Sequence, residues 1–282
     1  VAALCVAAAG LFVTRPAKLP DGALDGLSAD PANGEQVFYA AGCISCHAAP
    51  GTTGPAKLTL AGGQAFPSDF GTFIAPNISP DPDHGIGGWT LSEFASALRY
   101  GSSPDGQHYY PAFPYTAYAH MTDQDIADLW AFWQGLPPSD VPSQPHQVGF
   151  PFNIRASLGG WKMLFMSKDW VVADIPSPEV ERGRYLVEAL GHCGECHTPR
   201  NALGGLDTAN WLGGAPNPSG SGKIPSLAAL DWAASDIAYY LETGFTPDFD
   251  SAGGHMAPVV QNFARLPAAD RDAVAAYIKA LQ

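Results

Sequence analysis

The sequence is short of charge. Only 15% of its 282 residues are Asp, Glu, Lys or Arg, against about a quarter in ordinary globular chains. What charge exists leans one way, with 27 acids against 14 bases and a formal net charge of −13. No basic run offsets this, so nucleic acid phosphates are excluded as partners. Cationic proteins are favoured instead, with docking that weakens as salt rises. Long apolar runs are also missing. "VAALCVAAAGLFV" at the start, ahead of Thr14, Arg15 and Pro16, falls short of the about 20 residues that cross a bilayer. Residues 1–16 therefore read as the remnant of a membrane anchor or signal segment, followed by a linker at 17–29. No stretch alternates β-branched residues, so strands should be scarce. Cysteine is rare, and Cys5, Cys43, Cys46, Cys193 and Cys196 lack the scattered spacing of a disulfide scaffold.

What the chain does have is a repeat. "WTLSEFASALRYGSSPD" (89–105) aligns without gaps on "WAASDIAYYLETGFTPD" (232–248). Each reads as a helix that starts near Ser or Thr with an acidic residue and stops at a glycine before a turn. "TDQDIADLWAFWQGL" (122–136) aligns on "PAADRDAVAAYIKAL" (267–281), with apolar residues three and four apart as amphipathic helices require. A third pair, 33–43 and 181–193, predicts a helix ahead of each cysteine pair. The fold class expected is all-α, with tandem domains at 30–138 and 177–282. A proline-rich connector at 139–176 reads as lying across their seam, with a partner or membrane surface as the other reading.

Each half carries C-x-x-C-H: "GCISCHAAPG" (42–51) and "GHCGECHTPR" (191–200). A structural zinc site would need a second ligand pair in each half, and none is present. A redox dithiol would need a strand-to-helix context and leaves the histidine without a role. Covalent haem attachment uses every part of the motif: two thiols one turn apart add to the vinyl groups, and the next histidine reaches the iron. Two covalently bound haem c groups are therefore expected, on Cys43, Cys46, Cys193 and Cys196, with His47 and His197 as iron ligands. Haem would also supply apolar surface that the loop-rich halves lack.

Met121 and Met256 occupy corresponding loops and are the candidate distal ligands, because a thioether raises the potential as a carrier needs. His120 and His255 directly precede them and keep bis-histidine ligation open. Met163 and Met166 read as packing residues of the connector. His84, His108, His146 and His192 read as surface or loop hydrogen-bonding residues. Trp89, Trp232 and Arg200 read equally as contacts to haem propionates or as ordinary packing. The far ring nitrogen of each iron-binding histidine should bond a carbonyl, and "AAPGTTGP" and "TPRN" after the motifs are the sources considered.

These runs, together with "APNISPDPDHGIGGWT" and "YYPAFPYTAYAHMTDQD", resemble the cytochrome c subunits of membrane-bound bacterial alcohol and aldehyde dehydrogenases over most of residues 30–282. The resemblance implies class I cytochrome c domains, export to the periplasm, and anchoring to the inner membrane through the N-terminal segment. It also implies electron transfer from an alcohol- or aldehyde-type dehydrogenase towards quinone or towards a cytochrome or oxidase of the respiratory chain, and supports Met121 and Met256 as ligands. The best-known members carry three haem motifs, whereas this chain carries two. The chain is thus expected to be an electron-transfer protein rather than an enzyme. The rival is a dihaem peroxidase or an oxidoreductase of a small sulfur compound, which would need one open iron position and acid–base residues over it.

Overall fold

Asp30 accepts a hydrogen bond from the Ala32 N–H, and Pro31 has no N–H to leave unpaired, so helix α1 begins there and runs Pro31–Ala40. The computed structural model describes residues 10, 12–217 and 222–282. Most of the N-terminal run, Cys5 included, lies outside the described residues. The first motif forms the short helix α2 (Cys43–His47), followed by a hairpin of β1 (Ala65–Ser68) and β2 (Gly71–Ile74). α3 (Leu91–Tyr100) opens on a capping box between Thr90 and Glu93 and stops at Gly101, whose φ of 57° suits glycine. α4 (Tyr115–Tyr118) and α5 (Asp123–Trp133), capped by Thr122, complete the first half.

The connector contains α6 (Ser157–Phe165). In the second half α7 (Pro178–Arg184) continues as wider π turns through Tyr185–Leu190, and α8 (Gly194–His197) holds the second motif. A short hairpin, β3 (Ala215–Pro216) with β4 (Lys223–Ile224), precedes α9 (Ala234–Thr243), α10 (Met256–Phe263) and α11 (Ala268–Ala280). Among the described residues the regular structure is thus helical apart from these two small hairpins, and strands are few. α9 begins as expected beside Ser235 with Asp236 in its first turn and stops at Gly244, although its N-cap, Ala233, makes no side-chain bond. No helix among the described residues is long and apolar enough to cross a membrane.

In each half the first helix crosses the last at a glycine. A Cβ on Gly34 would lie 2.0 Å from the Asp128 carbonyl oxygen, and one on Gly183 would lie 2.0 Å from that of Ala273. Polar bonds fix both crossings. Asn33 Nδ2 donates to Asp128 at 2.7 Å and Asp125 at 2.9 Å, while Arg182 grips Asp270 through two bonds of 2.8 Å. Because backbone stands in the way, the helices must separate to admit any side chain. Gly34→Ala or Gly183→Ala should therefore cost at least about 2 kcal/mol in denaturant unfolding of the holoprotein.

The buried apolar residues of both halves form one contiguous cluster that includes Phe38, Leu129, Trp133, Leu186, Leu190 and Tyr277. The connector bridges the halves. Lys162 Nζ donates to the Gly101 carbonyl at 2.8 Å, Trp161 Nε1 to that of Leu203 at 2.9 Å, and the Phe165 ring covers Gly205. Met163 was expected to pack, yet it is 66% exposed: α6 lies on the outside and buries only Leu158 and Gly159.

Candidate haem-attachment sites

The residue before each first cysteine turns the chain in the left-handed region, Gly42 at φ 67° and His192 at φ 39°. That turn starts the short helix that places two thiols and a histidine on one turn. Cys43 and Cys193 are half-buried, while Cys46 and Cys196 are exposed. Burial pushes the Cys43 thiol up to about 12 and that of Cys193 to about 12. Burial first, then the neighbouring Cys196, pushes Cys46 up to about 11. Such surroundings disfavour thiolates and suit uncharged thioethers.

The two histidines are held alike. His47 Nδ1 lies 2.9 Å from the Pro76 carbonyl oxygen, and His197 Nδ1 lies 2.8 Å from that of Pro225. Burial lowers His47 to about 4 and lowers His197 as well, so both rings are neutral. A carbonyl only accepts, so the single ring proton sits on Nδ1 and the Nε2 lone pair is left for a metal. The donor set therefore fits a covalently attached haem. No group of three or more His, Cys, Asp or Glu residues suited to a metal occurs among the described residues.

The carbonyl sources considered from sequence were the wrong ones. Pro76 and Pro225 lie 29 and 28 residues beyond their histidines. Both are brought back by the same device: Leu60 (φ 51°) and Leu212 (φ 52°) reverse the chain, and a glycine follows two residues later. The N–H of Gly62 then donates to the His47 carbonyl at 2.8 Å, and that of Gly214 to the His197 carbonyl at 2.7 Å. A Cβ on Gly62 would lie 2.4 Å from the Pro76 carbonyl carbon. The same L-x-G, followed at a distance by proline, stands in each half at Leu60-Ala61-Gly62 and Leu212-Gly213-Gly214.

Met121 is 2% exposed and packs in the core, with its carbonyl accepting from Arg99 Nη2 at 2.8 Å. Met256 is half-buried at the start of α10, and His255 is exposed. His120 turns elsewhere. Its Nδ1 and Nε2 lie 3.2 and 3.3 Å from the carbonyls of Ala117 and Asp169, and the ring stacks on Trp170 at 4.6 Å. Trp89 and Trp232 are half-buried against the core, Trp232 edge-on to Tyr240 at 5.4 Å. Arg200 is tied to Glu195 and to the Gly204 carbonyl.

The structure brings the two motifs together. Asn262 of the second half donates to Ser45 Oγ at 2.9 Å, and Thr116 of the first half donates to Glu195 Oε1 at 3.0 Å. The residues between each pair of cysteines thus touch the opposite half. His192 lies between them with its ring 5.6 Å from that of Tyr118. It is a hydrogen-bonding loop residue, as one of the two readings had it, but the loop lies in the seam, and burial lowers its pKa. His108 is also buried, while His146 bonds Ile74 N at 3.1 Å. A cleft of about 240 Å³ nearby, lined by His120, Trp161, Glu195 and Trp211, is bordered by none of His47, Met121, His197 or Met256.

Behind the second motif, Trp211 covers Gly194 and donates to Tyr277 Oη at 3.0 Å. Tyr277 in turn donates to Glu188 at 2.6 Å. Glu188 also receives Val171 N–H at 2.7 Å, which docks the end of the connector. Tyr277→Phe removes a bond to a buried carboxylate and should cost about 2 kcal/mol in urea unfolding.

A family model described as cytochrome c matches residues 31–137 and 180–282. The chain is 59% identical over 278 residues to a diheme cytochrome c-type protein of Cereibacter sphaeroides, covering 98% of this chain and 94% of that one. It is 39% identical to the fructose dehydrogenase cytochrome subunit of Gluconobacter japonicus, covering 88% of this chain and 52% of that subunit. With the alcohol dehydrogenase (quinone) cytochrome c subunit of Gluconobacter oxydans it shares 37% identity over 80% of this chain and 49% of that subunit. The chain thus spans nearly all of the first relative and about half the length of the two dehydrogenase subunits.

Proposed function

The chain belongs to the cytochrome c family and carries two covalently bound haem c groups, and from that premise we propose that it is the electron-transfer subunit of a dehydrogenase complex. It takes electrons from an alcohol- or aldehyde-type dehydrogenase and delivers them to a cytochrome or oxidase of the respiratory chain. It works in the periplasm, held to the inner membrane by its N-terminal segment.

One observation carries this reading: the two attachment motifs share one seam, where Asn262 meets Ser45 and Thr116 meets Glu195. Haem supplies one-electron chemistry when bound. The chain's own residues hold it in place: Cys43, Cys46, Cys193 and Cys196 tether it, and Pro76 and Pro225 orient the His47 and His197 rings. Met121 and Met256 would supply thioether ligands to the iron. A rigid seam keeps the two centres at one separation, as a relay needs. The acidic surface guides docking on basic patches of the acceptor.

The reading is tested on the complex purified from solubilised membranes. Substrate of the attached dehydrogenase should reduce both haems, peroxide and low concentrations of cyanide should leave their spectra unchanged, and electron delivery to a basic acceptor should slow as salt rises. Steady peroxide turnover, or no reduction by any co-purified dehydrogenase, overturns it.

A further inference from the structure

The outer surface of the connector is apolar, and no described residue covers it. Phe150 is 81% exposed, Met163 66% and Leu164 70%, with Phe152 and Ile154 about half exposed beside them. Single exposed apolar residues need no explanation, but a cluster of this kind marks a contact surface.

The N-terminal run enters at this same place. Thr14 sits on Gly159 of α6, where a Cβ would lie 2.3 Å from the Thr14 carbonyl oxygen. That oxygen also lies 2.9 Å from His108 Nε2, whose ring Nδ1 is 3.0 Å from Lys162 Nζ. The His108 carbonyl accepts from Arg155 Nη1 at 3.1 Å. Phe12 and Val13, both exposed, therefore leave the protein beside the connector.

Charge selects what covers them. In a chain of net charge −13, residues 1–20 and 141–168 contain no Asp or Glu, so all 27 acids lie elsewhere. Five of the 14 bases lie in these segments: Arg15, Lys18 and Lys168 are exposed, while Arg155 and Lys162 turn inward onto the His108 and Gly101 carbonyls. An anionic surface repels the rest of the protein and attracts this face. Apolar side chains flanked by cations suit the boundary between headgroups and acyl chains.

We infer that the turn at 149–154 and the outer face of α6 rest in the surface of an anionic phospholipid bilayer, beside the N-terminal run and as a contact in their own right. This rests on the proposed membrane placement of the chain. It fixes the orientation of the seam above the bilayer, which a single flexible tether cannot do.

The test places a nitroxide at Phe150→Cys or Leu164→Cys in the holoprotein, with Cys5→Ser removing the other free thiol. Phe249→Cys, at a site 91% exposed in the second half, is the reference. On vesicles of phosphatidylglycerol and phosphatidylcholine, labels at 150 and 164 should gain oxygen collisions and lose nickel-chelate collisions, while the label at 249 stays in water. Phe150→Ser with Leu164→Gln should weaken binding to these vesicles about tenfold without altering the haem spectrum.

Labels at 150 and 164 that stay in water on protein-loaded vesicles overturn the inference and leave N-terminal anchoring standing. Failure of the full chain to bind vesicles overturns both. Labels already immobilised in the purified complex before lipid is added assign the face to a protein partner and overturn the bilayer contact. Reduction of both haems by the dehydrogenase is unaffected by any of these results.

Discussion

Replacing Cys193 and Cys196 together with alanine is expected to yield a chain carrying one tetrapyrrole mass instead of two after denaturation and acid extraction. Cys196→Ala alone should retain both, because Cys193 still provides one thioether. Loss of the second haem should not stay local. Leu186, Val187 and Leu190, just ahead of the second motif, belong to the same buried cluster as Phe38 and Leu129 of the first half. Ser45 and Thr116 would also lose their fixed partners across the seam. Binding energy of a group that only the folded state holds is folding energy, so stability of the whole chain should drop by at least about 3 kcal/mol. Electron delivery from dehydrogenase to acceptor should fall to background, since the relay is cut. The matching pair in the first motif should behave alike. Two tetrapyrrole masses in the double variant would refute thioether attachment at these positions. An unchanged unfolding midpoint would refute the shared core.

The repeat made most of this legible. Helical spacing and paired segments located both terminal helices, and C-x-x-C-H marked the candidate tethering residues, because those signals are local in sequence. Gly34 and Gly183 carried no such signal; a glycine in a helix is read as a weakness until the crossing helix is seen against it. The carbonyls that orient His47 and His197 were missed for a related reason. Nearby prolines drew attention, whereas Pro76 and Pro225 arrive from far along the chain through left-handed turns at Leu60 and Leu212. His192 is legible as a hydrogen-bonding loop residue but not as part of the seam, because nothing in one half announces what the other half places against it. The seam is a long-range property, and a gapless internal alignment describes each half without describing how they meet.

Distal ligation separates the two halves further. Met121→Ala should lower the potential of the first haem by on the order of 100 mV or more and convert it to a high-spin spectrum. His120→Ala should change neither. The His120 ring nitrogens are directed at the carbonyls of Ala117 and Asp169, and its face is stacked on Trp170. Met121, by contrast, is 2% exposed within the core, and Arg99 fixes its backbone while pairing with Asp123 at 2.7 Å. The second half should follow the same rule with weaker restraint. Met256 is half-buried at the first position of α10 and lies just beyond Gly253 and Gly254, whose backbone is freer than that of other residues. Swinging Met256 away disturbs less packing than extracting Met121, so a small ligand should enter the second site first. Cyanide titration of the oxidised holoprotein at concentrations above those of the relay test checks this order. Met121→Ala should reverse it, while Met256→Ala should leave the first haem low-spin. A spectrum indifferent to Met121→Ala but altered by His120→Ala would transfer the distal role to histidine and require the Trp170 contact to break.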